Sequence, residues 1–143
     1  AVPLLRRALA IDEKSLGPDH PTVASLLSNL AQVLQATNGL GEAEPLMRRA
    51  LAIDEKGLGP DHPNVARDLN NLAELFQATN RLSEVEPLLR RALAILLDFS
   101  HRTGHEHTFL QGALDNYAEF LKKMGKSDTE IEATIRALGW SPG

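Results

Sequence analysis

Asn29, Asn71 and Asn116 occupy the same place in three copies of one stretch of chain. Around the first, Ser25, Ser28, Gln32 and Gln35 fall at helical spacing. Arg67, Asn70, Glu74 and Gln77 surround the second, and Gly112, Asp115, Glu119 and Lys122 the third. A carboxamide carries both donor and acceptor groups. A row of three can therefore bond the N–H and C=O groups of an extended peptide, or each can bond a backbone group of the adjoining copy. Both roles are open at this level. The flanking charges, Arg67 opposite Glu74 and then Asp115 and Glu119 beside Lys122 and Lys123, announce neither an acidic nor a basic ligand.

Other chemistry is weaker. His101, His105 and His107 with Glu106 could be read as a metal cluster, but His107 aligns with His20 and His62, each in a turn leading into a helix, so the repeat already explains it. Arg6-Arg7, Arg48-Arg49 and Arg90-Arg91 could form a basic stripe. Glu44 and Glu86, however, stand four residues before Arg48 and Arg90, a spacing that makes surface ion pairs. A formal charge of -4 and an aromatic content of 4% argue against a nucleic-acid or anionic-membrane partner. There is no cysteine, no Gly-rich phosphate loop and no isolated Ser, His and Asp set. The expectation is a non-enzyme with no metal, no cofactor, no nucleic-acid partner and no membrane span, acting in the cytoplasm.

The elements that must position these amides repeat with a period of 42. Residues 3–42 and 45–84 share 29 identities in 40 positions, so the chain is a tandem array and its length counts repeats rather than one core. Leu4, Leu5, Ala8, Leu9, Ile11 and Leu16 predict a helix over 2–16, stopped at Gly17-Pro18. Asp19 is expected to cap the next helix and Pro21 to sit in its first turn. That helix carries Val23, Ala24, Leu27, Leu30, Ala31 and Leu34 and ends at Asn38-Gly39. A third opens near Gly41 with Pro45 about its first turn, and Gly57 and Gly59-Pro60 are expected to break it. The fourth repeats the second and ends at Asn80. The third copy departs: Leu96-Leu97-Asp98-Phe99 replaces Asp54-Glu55-Lys56, and three residues are inserted before the pattern resumes. Ser127 to Leu138 predicts a short terminal helix with a Ser cap and Glu130 behind it. No segment alternates with period two.

The pattern Leu27-x2-Leu30-Ala31-x2-Leu34 followed by Ala43, Met47 and Ala50-Leu51 resembles the tetratricopeptide repeat. The phrase LGPDHPxVAxxLxNLAxL is similar to the long repeats of kinesin light chains and related bacterial proteins. The expected fold is an all-α solenoid of antiparallel helix pairs, a right-handed superhelix of about seven helices. Its parts are a leftover second helix of a preceding repeat (1–17), repeats at 20–57, 62–101 and 105–139, and a capping helix at 127–138; the chain reads as a piece of a longer protein. The resemblance implies that the first helix of each repeat lines a concave groove and that Asn29, Asn71 and Asn116 hold bound peptide. It thus implies a scaffold for a protein or peptide partner. A competing expectation is a structural module whose exposed repeat ends stack on other copies.

Overall fold

The computed structural model describes residues 2–140. These form α1 (Val2–Leu16), α2 (Pro21–Ala36), α3 (Leu40–Leu58), α4 (Pro63–Ala78), α5 (Val85–Thr103), α6 (Leu110–Lys123) and α7 (Asp128–Ala137), with a single 3-10 turn at Leu82–Glu84. No strand occurs among the described residues. Each helix packs chiefly on the one before and the one after it, so the core is a continuous seam: Val23, Leu27 and Leu30, then Val65, Leu69 and Leu72, then Leu110, Leu114 and Tyr117. Ala31, Ala43, Ala50, Ala73 and Ala92 have no accessible surface. Their missing side-chain volume lets neighbouring helix axes approach.

The turns follow the repeat, with one correction. The cap of α2 is His20, not Asp19: the His20 Nδ1 accepts the Thr22 N–H at 3.1 Å, and His62 does the same for Asn64 at 3.1 Å. Imidazole Nδ1 reaches the free donor of the first turn, while Pro21 and Pro63 lack a donor at N1 and need no partner. His107 accepts from Phe109 N–H at 3.1 Å in the third copy. There Thr108 replaces the proline, and α6 begins only at Leu110.

The third helix differs from expectation at both ends. Pro45 lies at its sixth residue, and Gly57 stays helical; the stop is Gly59, at φ +98°. In the third copy the corresponding helix is divided: residues 82–84 form the 3-10 turn, and Pro87 becomes the third residue of α5. The three inserted residues extend α5 to Thr103, whose Oγ1 donates to Phe99 O at 2.8 Å, before Gly104 turns the chain at φ +74°. Phe99 and His107 then meet edge to face at 5.2 Å. The chain ends in α7 with the expected capping box, the Ser127 Oγ accepting Glu130 N–H at 3.2 Å and the Glu130 carboxylate accepting Ser127 N–H at 3.1 Å.

Arginines rivet the hairpins at intervals of one repeat. Arg49 reaches Glu13 at 3.4 Å and Pro18 O at 3.1 Å, and Arg91 reaches Glu55 at 2.9 Å and Pro60 O at 3.3 Å. The i,i+4 pairs Glu44–Arg48 and Glu86–Arg90 form as the spacing requires, at 3.0 and 2.7 Å. This accounts for most of the arginine stripe without an outside ligand.

Candidate peptide-binding groove

The first-type helices α2, α4 and α6 line a row of hollows. Between α2 and α4 a hollow of about 380 Å³ is bounded by Gln32, Gln35, Asn71 and Glu74, with Met47 behind. Between α4 and α6 a narrower one of about 220 Å³ is bounded by Asn70, Glu74, Gln77, Asn116, Glu119 and Lys123. Stacking of near-identical hairpins thus brings Asn71, Asn116, Gln32, Asn70, Glu74 and Glu119 to one surface. Asn29 is exposed on α2, outside both hollows. Among the described residues, none of the three aligned Asn amides makes a hydrogen bond within the chain. The inter-repeat backbone bond considered for them is therefore not formed.

Besides Asn29, four predicted groove residues lie elsewhere or do other work. Ser28 is buried, because it faces the seam rather than the opening. Asp115 accepts a hydrogen bond from Gln111 Nε2 at 3.0 Å on its own helix and lies outside the two hollows. Lys122 flanks a separate hollow at the α6–α7 end. Arg67 is not free to oppose Glu74: its Nη2 lies 3.6 Å from Asp54 and 3.5 Å from Asp68, carboxylates that are 1% and 2% exposed.

That acid pair is absent from the sequence-based expectation. Asp54 comes from α3 and Asp68 from α4, and one oxygen of each lacks a hydrogen-bond partner. Burial, and then the adjoining Asp54 carboxylate, push the Asp68 carboxyl from 3.8 up to about 8 against the pull of Arg67. The protonated form of Asp68 is thereby favoured. A signal is present in the sequence: Asp54 continues the buried stripe Ala43, Met47, Ala50 at helical spacing, and Asp68 lies between Val65 and Leu72 on another.

Among the described residues no three His, Asp or Glu side chains converge on one point. No helix among them is long and apolar enough to cross a membrane.

Helix hairpins stacked in one direction, with first-type helices lining a common surface, define a helical-repeat solenoid. A family profile for the tetratricopeptide repeat matches residues 1–56 and 22–98, and the chain belongs to that family. Among solved structures, BtubC (BKLC) from P. vanneervenii is similar at 24% identity and TM-score 0.79, over 99% of this chain and 58% of that one. A putative kinesin light chain of nearly identical TPR-like repeats from Podosopora anserina is similar at 21% identity and TM-score 0.63, over 96% of this chain and 84% of that one. A singly substituted form of that same protein gives 21% identity and a TM-score of 0.64. The chain thus spans little more than half the length of the first of these. A comparison with curated proteins finds no match.

Proposed function

We propose that this array is a non-catalytic protein-interaction scaffold whose groove, lined by α2, α4 and α6, holds an extended segment of a partner. The observation that carries this is the state of the amides: Asn71 and Asn116 line hollows on one surface and have no partner inside the chain. Amides left solvated at no structural gain are suited to bond a peptide backbone. Selection of a random displayed peptide library on the purified chain tests the reading. Peptides selected by the native chain are expected to lose at least tenfold in affinity for the Asn71→Ala/Asn116→Ala double variant, with its melt unchanged. Equal affinity would refute the groove.

A second reading, stacking of copies end to end, is favoured by one observation. Leu4 is 69% and Ile11 is 55% exposed on α1, whereas Ile53 and Ile95, the equivalents of Ile11, are each 4% exposed. Sedimentation of native chain against Ile11→Asp separates the two readings. Concentration-dependent association abolished by that substitution supports stacking, and a monomer at all concentrations excludes it.

A further inference from the structure

We infer that the groove selects a partner segment bearing a basic side chain and, beside it, a bulky apolar one, the first seated between Glu74 and Glu119 and the second against Trp140. The inference rests on the groove reading above and gives it a specificity. It begins with Arg67. That guanidinium is only part-buried, but it is paired with the buried carboxyls of Asp54 and Asp68 and, among the described residues, forms no ion pair with the acids of the opening.

The hollows are joined through shared carboxylates. Glu74 borders both the α2–α4 and the α4–α6 hollow. Glu119 borders the α4–α6 hollow and a third, of about 420 Å³, at the α6–α7 end. Neither Glu74 nor Glu119 forms an ion pair among the described residues. The middle hollow also contains Asn70, whose Oδ1 is buried without a hydrogen-bond donor. Two carboxylates and an unsatisfied acceptor, against the single cation Lys123, make a cleft that a guanidinium or ammonium group satisfies. Its volume of about 220 Å³ suits one long side chain.

The third hollow has a different character. Ala118, Ile131, Ile135 and Trp140 give it apolar surface, with Glu119, Lys122, Asp128 and Glu132 also lining it; Glu132 is already bonded to Arg136 at 2.6 Å. Apolar surface of this kind next to a charged cleft takes a leucine or an aromatic side chain, whose burial contributes favourably on leaving water. Read along α2, α4, α6 and α7, the surface runs from amides to carboxylates to an apolar seat. An extended peptide presents backbone to the first, a cation to the second and a hydrophobe to the third.

A positional-scanning library of blocked, fluorescein-labelled decapeptides, titrated by fluorescence polarisation against the purified chain, tests this. Pools fixed as Lys or Arg are expected to bind roughly tenfold more tightly than pools fixed as Glu, which corresponds to about 1.4 kcal/mol, and the gap should narrow with added salt. The Glu74→Gln/Glu119→Gln variant should bind all pools alike while melting as the native chain does. Preference for leucine or aromatic pools should fall in Ile131→Asp, with Trp140→Ala as a milder check should that variant not fold. Equal or tighter binding of the Glu pools by the native chain overturns the specificity while leaving the groove, provided binding still requires Asn71 and Asn116. Binding indifferent to those two residues removes both. Self-association of the chain that the peptide pools compete away would make a second copy the occupant, and overturns the inference.

Discussion

The junction between α3 and α4 and the one between α5 and α6 occupy the same place in successive repeats, yet they are filled by opposite chemistry. The first buries Asp54, Asp68 and part of Arg67; the second has Leu96, Ala113 and Gly112 at those positions, with Leu96 and Ala113 buried. Its polar element is instead Tyr117, whose hydroxyl lies 3.4 Å from both Arg90 and Glu86 near the edge of the interface. One scaffold therefore accepts either a proton-holding acid pair or plain apolar packing at its seam. What the repeat specifies is volume and direction, not polarity, and the polar version makes one junction sensitive to pH.

The largest expected effect comes from breaking the polar junction on one side. Arg67→Ala leaves the buried acid pair without a cation and should cost roughly 3 kcal/mol in urea unfolding. The cost should be greater at pH 9 than at pH 6, because Asp68, raised to about 8, carries its charge only at high pH. No counterpart exists at the α5–α6 junction, where Gly112 stands in place of Arg67, so Gly112→Ala should stay within about 1 kcal/mol of native. A similar loss at both sites would show that the two junctions are not distinguished by charge.

Overfilling comes next. Ala73 has no accessible surface, and Ala73→Leu should cost roughly 1 to 3 kcal/mol and lower the melting temperature. An unchanged melt would mean that α4 does not cross its neighbours at that residue.

The pH dependence is smaller but more specific. The folded-state pKa of Asp68, raised to about 8, lies above its ordinary value of 3.8. Between these values the native state binds the proton that the unfolded chain releases. This group's contribution is thus full below about pH 4 and is lost as the pH climbs through 8. The melting temperature should fall as the pH rises from about 5 to about 8 and level off above that. Installing the third-copy residues, Asp54→Leu with Asp68→Ala, should flatten that fall, since a buried acid pair replaced by apolar groups is often neutral or stabilising. A fall of the same size in that variant would place the titrating group elsewhere.

The smallest effects belong to the chain's local devices. Ser127→Ala removes half of the capping box and should cost about 1 kcal/mol, while Arg102→Ala removes only the exposed pair with Asp98 at 2.8 Å and should cost less than about 0.5 kcal/mol. Thermal melts rank the two; the reverse order would mean that the α5 extension matters more to stability than the closing helix.

Much of the fold is readable in the sequence because Gly, Pro and Asn punctuate each turn and the 3.6-residue stripe is duplicated. Gly17, Asn38, Gly59 and Asn80 all take positive φ where the chain turns. Composition favours Asp19 as the cap because an aspartate is the commoner capping residue, whereas here the imidazole one position later has the reach. Ser28 and Arg67 read as groove residues because helical spacing gives an angular sector, and sectors at the boundary between seam and opening are decided by the neighbouring helix. The Asp54–Asp68 pair escapes notice although both residues lie on buried stripes, since a charge on a stripe reads as an interruption until a second charge is found opposite it. The join of the groove through Glu74 and Glu119 depends on helix-to-helix distance and has no signal in the chain.

Side-chain amide resonances of the ¹⁵N-labelled chain, followed while a peptide from the selected library is added, report on the asparagine row itself. The NH₂ signals of Asn71 and Asn116 are expected to move together and saturate at one peptide per chain, while those of Asn38 and Asn80, in the turns, stay still. Movement confined to the turn asparagines, with Asn71 and Asn116 unchanged at saturation, would contradict the groove reading.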